Sequence, residues 1–174
     1  MPLIKNNAFV EDAYRRVADE EILPEGAVIV SAKRWQTERE ALTARNTPIG
    51  VRLTADQSPE LLGADVHRLA LVELEFPKFK DGRGYSWARL LRQRLGYKGE
   101  VRAVGDVLRD QWLFMSRVGI DAFEVRPGTK IEDFRAAMSE LTVFYQPASD
   151  RVRNVLQLRH KTPSRGERTL VAAE

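Results

Sequence analysis

The sequence predicts an α/β protein of about five to six βα units around a mainly parallel sheet, and three observations lead there. Apolar runs of strand length alternate with amphipathic segments of helix length. Serine, aspartate and glycine stand at the junctions where helices start and stop. The connections are too long for hairpins, so successive strands pair in parallel. At 174 residues the chain has room for one domain with a real core.

Taken in order, residues 1–24 read as a small appendage, such as a hairpin, ahead of a single α/β domain over residues 25–160. Ala27–Val30 is a short strand, with Ser31 capping a helix to about Arg45. Asn46-Thr47-Pro48 breaks the chain before the strand Ile49–Leu53, and Ser58–Leu62 is one helical turn. Leu69–Phe76 is the longest strand. Ser86 is expected to cap a helix to Leu95, with Gly96 as its stop. Gly99–Val104 is the next strand, and Asp106 an expected N-cap for a helix through Leu108, Trp112 and Met115 that ends at Gly119. After the strand Asp121–Val125, Thr129-Lys130-Ile131-Glu132 reads as a capping box for a helix with Ile131, Phe134, Met138 and Leu141 on one side. Thr142–Tyr145 closes the series as a strand. Residues 161–174 are polar, lack periodicity and are expected to be a tail without order.

The strands do not read as uniformly apolar, as strands buried on both faces would. Arg52 and Thr54 alternate with Val51 and Leu53; Glu73 and Glu75 alternate with Val72, Leu74 and Phe76. Arg102 opposes Val101 and Ala103, and Glu124 and Arg126 oppose Phe123 and Val125. In a sheet curled like part of a TIM barrel that face lines the interior, where acid and base pair. An open doubly wound sheet with partly exposed strand ends is the other architecture. A full eight-unit barrel needs about 200 residues or more, so a barrel here is partial or completed by a second copy in a homodimer.

Composition removes several function classes. Of the residues, 43% are hydrophobic and 30% charged, which argues against wholesale disorder. The absence of cysteine excludes a disulfide scaffold, a thiol nucleophile and a cysteine-bound iron–sulfur cluster. With no apolar leader and no membrane-length run, the expected compartment is the cytoplasm and no membrane partner is expected. The basic pI of about 9.3 does not make a nucleic-acid binder. The whole net charge of +3 lies in residues 149–174, with six Lys/Arg against three acids. Such a basic tail is most simply a solvated one. His67 and His160 are the only histidines and form no metal motif. No dinucleotide fingerprint, Walker A sequence or GxSxG elbow occurs, so no cofactor is evident. Trp35, Trp87 and Trp112 lie in helical patterns and are expected to pack.

In parallel architectures functional groups gather at the C-terminal ends of the strands. Here those ends are Phe76–Ser86 and Val104–Gln111. Lys78, Arg83, Gly84, Arg102, Gly105, Arg109, Gln111 and Arg126 are the candidate ligand-binding residues. Paired guanidinium forks suit oxyanions, and glycines let backbone approach a ligand. Glu75, Asp81, Asp106 and Asp110 are the candidate acids or bases. Glu73 and Glu75, two apart on one face, are expected to form ion pairs with Arg102 or Arg126.

The run Leu71–Val125, above all FPKF-DGRGYS-AR-LR and RA-GDVLRDQ, resembles a bacterial family catalogued as domain of unknown function 934, whose members often carry the label of an oxidoreductase of sulfite reduction. Members are typically encoded beside assimilatory sulfite reductase and phosphoadenylylsulfate reductase. The resemblance therefore implies a role in assimilatory sulfur metabolism. Joined to the arginine-rich loops, it leads to the expectation of an accessory protein that binds a sulfur oxyanion, an adenylyl sulfate or the reductase itself. An acid–base enzyme acting on a phosphorylated or sulfated metabolite, and a structural partner in a complex, are the alternatives. The chain carries no visible means of moving electrons, since redox chemistry needs a carrier.

Overall fold

Eight strands form one sheet in the computed structural model, which describes residues 1–150 and 152–159. They are β1 (Leu3–Lys5), β2 (Ala8–Val10), β3 (Arg15–Arg16), β4 (Val28–Ser31), β5 (Ile49–Leu53), β6 (Leu71–Phe76), β7 (Glu100–Gly105) and β8 (Ala122–Glu124). Their order is β2-β1-β8-β7-β6-β5-β4-β3, parallel from β3 to β8, with β1 and β2 antiparallel at the far side. The expected tail, residues 161–174, lies outside the described residues.

The sheet must curl, because of where the chain goes after β2. Strands β2 and β3 are the opposite edges, yet only Glu11–Tyr14 separates them in sequence. Eight strands laid flat are about 34 Å across. The link from Val10 to Arg15 spans at most about 18 Å. The edges are therefore drawn toward each other, and the result is a curled half-barrel. Arg16 on edge strand β3 confirms the curl by reaching Glu73 on β6 and Glu124 on β8.

The alternation expected of the strands sorts their two faces. Val51, Leu53, Val72, Leu74, Phe76, Val101 and Ala103 form the outer face, packed with Trp35, Leu42, Ala88, Leu91, Trp112 and Met115 from the helices. The rings of Trp112 and Phe123 lie 5.0 and 5.3 Å from that of Phe134, tying the last helices to β8. The inner face carries the ions. Arg52 stands in register with Glu73, and Glu73 with Arg102.

Strands β1, β2 and β3, within the expected appendage, belong to the sheet. The hairpin is there, turned by Asn6 and Asn7 at positive φ, but β1 pairs with β8 and β3 with β4. The first helix, expected as one piece to about Arg45, is two: α1 (Ala32–Thr37), capped by Ser31, and α2 (Arg39–Thr43), parted where Glu38 leaves helical geometry. Helix α3 (Arg83–Arg89), continued by a wider turn over Leu90–Arg94, starts before Ser86, because the Asp81 carboxylate accepts the Arg83 N–H and organises the first turn early. Gly96 ends it at positive φ, as expected. A short turn over Arg109–Gln111 leads into α4 (Trp112–Arg117) and follows Leu108, not Asp106; Gln111 accepts the Leu108 N–H instead. Helix α5 (Ile131–Ser139) forms without its capping box, since the Thr129 hydroxyl donates to the Arg126 carbonyl. Thr142–Tyr145 is no strand: Phe144 alone is buried there, under the Arg117 guanidinium 3.6 Å from its ring centroid. Helix α6 (Val155–Arg159) ends the described chain.

Buried phenols make the core sensitive to alkali. The Tyr97 hydroxyl donates to the Leu69 carbonyl at 3.1 Å, and burial raises its pKa. Burial first, and then the nearby Asp110, push Tyr85 up to about 12. In both, folding favours the neutral form, so the stabilisation is complete below pH 10 and is lost as pH rises above it, for Tyr85 through about 12. Ultraviolet titration should show these phenols ionising with the unfolding transition. Ionisation of every tyrosine near pH 10 in folded protein would contradict it.

Candidate ligand site at the strand ends

Six parallel strands end on one side of the half-barrel, and the expected site residues divide between the loops there and the inner face of the sheet. The loops after β6 and β7 are fastened to each other. The Asp106 carboxylate accepts the Phe79 N–H at 3.1 Å and an Arg126 N–H at 2.6 Å. Gln111 donates to the Phe79 carbonyl at 3.3 Å, so Phe79 is held by its backbone on both sides. Gln111 and Asp106 thus join the two loops to each other.

The arginines expected to converge on a ligand each have a carboxylate. Arg83 pairs with Asp81 at 2.7 Å, and Arg109 with Glu140 at 3.4 Å. The side-chain and backbone hydrogen bonds from Arg83 hold the Asp81 carboxyl at about 2. Lys78 and Asp110 are exposed. A Cβ at Gly84 would overlap the Phe76 ring, so this glycine serves packing of α3 on β6. Gly105 has φ +98, and a Cβ there would sit 2.5 Å from the Phe76 carbonyl oxygen.

Arg102 is not at the strand ends. It lies in the barrel interior, 1% exposed, with Asp12 at 2.8 Å, Glu100 at 2.9 Å, Glu73 at 3.5 Å and the Tyr14 ring beside it. Burial alone would lower its pKa; Glu100 and Asp12 outweigh that and raise it. Glu73, fully buried, is shared between Arg16 and Arg102. Glu75 pairs with Arg52 at 3.0 Å rather than with Arg102 or Arg126.

One open space lies beside this network, at the ends of β3, β4 and β5, and a smaller one of about 230 Å³ lies against Arg109, Asp110 and Glu140. A cavity of about 380 Å³ is bounded by Arg16, Val17, Ala18 and Asp19 on one side, and by Ile29, Ser31, Lys33, Arg52, Thr54 and Gln57 on the other. Its size is that of small-molecule sites, and Val17, Ala18 and Ile29 give it an apolar wall among the polar groups. Several polar groups are committed within the protein. Ser31 donates to Asp19 at 2.6 Å and accepts the Arg34 N–H; Thr54 donates to Asp56; Gln57 accepts the Thr54 N–H through its oxygen. Beyond these bonds the capacity is mostly that of donors, the Lys33 ammonium, the Gln57 amide N–H groups and the Arg52 N–H groups not bonded to Glu75, set against the second Asp19 carboxylate oxygen. Among the described residues no group of three or more His, Asp or Glu side chains is placed to hold a metal ion, and no helix is long and apolar enough to cross a membrane.

Arg16, Asp19, Lys33 and Gln57 went unnoticed in the sequence. The alternating Arg52 and Thr54 were the one signal pointing to this end of β5; the Arg15-Arg16 pair carries none, being two polar residues in a stretch with no period.

Fold and site together define a parallel half-barrel protein with a donor-rich cavity at the strand C-terminal ends. The chain belongs to the family described as "Bacterial protein of unknown function (DUF934)", whose model matches residues 50–156. No curated protein and no solved structure matches it. The match takes in Arg52, Thr54 and Gln57 and both fastened loops, while β1 to β4 lie outside it.

Proposed function

We propose that this protein is an accessory factor of assimilatory sulfate or sulfite reduction that binds an anionic sulfur compound in the cavity at the ends of β3, β4 and β5. One observation carries the anion: the hydrogen-bonding capacity left open around the cavity belongs chiefly to donors, two of them cationic. An acceptor-rich oxyanion is the complement of such a set. The sulfur context comes from the family resemblance. A cavity of about 380 Å³ with Val17 and Ile29 in its wall favours adenylyl sulfate, which brings an aromatic base, over bare sulfite or sulfate.

Thermal unfolding tests this directly. Adenylyl sulfate at 100 times its Kd should raise the melting temperature by about 5 °C or more, through selective binding to the folded chain. Arg52→Ala and Lys33→Ala should remove most of the shift, and Arg83→Ala and Arg109→Ala should leave it intact. Absence of a shift with adenylyl sulfate, sulfite and sulfate alike would overturn the proposal. Loss of the shift in Arg83→Ala with retention in Arg52→Ala would move the site to the β6 and β7 loops.

A further inference from the structure

Residues 11–21, of which Arg16, Val17, Ala18 and Asp19 wall the cavity, are fastened differently from the rest of the fold. Of residues 11–22 only Val17 is buried, so this segment contributes almost nothing to the apolar core. Strand β3 is two residues long and lies at an edge. Beside its pairing with β4, two flanking backbone bonds hold it, Arg15 N–H to the Ala27 carbonyl and Val17 N–H to the Ile29 carbonyl. The remaining fastenings are polar. Asp12 bonds Arg102, Arg16 bonds Glu73 and Glu124, Ser31 bonds Asp19, and the Arg34 guanidinium donates to the Ala18 and Glu21 carbonyls.

We propose that residues 11–21 form a gate over the cavity, latched by the ion pairs of Arg16 and Asp12 and opening without unfolding of the barrel. Local opening is governed by the apolar surface and backbone bonds that a segment would give up. Here those are one valine and an edge pairing, whereas β6 is bonded on both sides and buried on both faces. The same guanidinium that latches the gate lines the cavity. An anion inside would therefore engage Arg16 and hold the gate shut behind it. That last step rests on the ligand reading above; the gate itself does not.

Native-state hydrogen exchange on the full chain, without ligand, tests the gate. The reporters are the amide of Val17, in the gate, and that of Leu74, in the central strand. Val17 should exchange at least about 100-fold faster than Leu74 and show almost no dependence on low denaturant, while Leu74 depends on it steeply. Glu124→Gln, which removes one partner of Arg16, should speed Val17 about tenfold with its denaturant dependence still flat. Asp12→Asn, at a partly exposed position, should act in the same direction and serves if Glu124→Gln does not fold. Exchange of Val17 at the rate and with the denaturant slope of Leu74 would overturn the gate. A flat, fast Val17 in a protein that no sulfur anion stabilises would keep the gate and remove the ligand proposal.

Discussion

Arg102→Ala should destabilise the protein by about 3–5 kcal/mol and lower its melting temperature by about 10 °C. The size follows from what the substitution strands. Arg102 is 1% exposed and joins Asp12, Glu100 and Glu73. Without it the fully buried Glu73 is left with Arg16 alone, whose side chain is 38% exposed, while Glu100 keeps Lys5 and Asp12 loses its cation. Removing one member of a buried ionic network costs more than the pair gains, because the remaining charges stay desolvated. The double replacement Arg102→Met with Glu73→Leu separates the two effects. It takes out one charge of each sign and fills the space with apolar atoms. Arg16 then retains Glu124, Glu100 retains Lys5, and Asp12 is exposed enough to be hydrated. Urea unfolding should show the double variant recovering a large part of the loss. A single variant as stable as the parent would show that the interior charges are hydrated rather than paired.

How much of this network was legible depended on strand length. Alternation along β5, β6 and β7 is carried by runs of five or six residues, long enough for a period of two to show. From it the charged inner face and the curled sheet could be read. Strands β1, β2 and β3 are three, three and two residues long, too short to display any period. Their place is set by closure of the sheet, which no local pattern records, so the half of the network contributed by Lys5, Asp12 and Arg16 was invisible. The same holds at the site. Asp106 and Thr129 were expected to cap helices, but each is claimed by a different partner: Phe79 and Arg126, and the Arg126 carbonyl. Cap residues compete for donors, and the winner is decided by which loop lies alongside. The two loops expected to hold a ligand are joined to each other through Asp106, Gln111 and the Phe79 backbone. These bonds fasten the loop after β6 to the loop after β7, with the cavity at the ends of β3, β4 and β5 to one side.

Gly105→Ala tests that fastening and should cost about 3 kcal/mol. Gly105 ends β7 at φ +98, outside the range an L side chain adopts without strain. A Cβ there would also lie 2.5 Å from the Phe76 carbonyl oxygen. That carbonyl accepts the Asp106 N–H at 2.7 Å, so it cannot swing aside without breaking the bond that starts the loop. Strain and overlap therefore add, and relief of either displaces Asp106 from Phe79 and Arg126. Gly128 offers the control, since it too has positive φ but its Cβ would meet nothing within 4 Å. Gly128→Ala should cost about 1 kcal/mol, the strain alone. Urea midpoints of the two variants measure the difference, and amide exchange at Phe79 shows where it arises. Exchange there should quicken in Gly105→Ala more than the loss of global stability accounts for, because the β6 loop has lost its clamp. Equal costs at the two glycines would mean that the Phe76 carbonyl yields freely and that the two loops are not fastened through it.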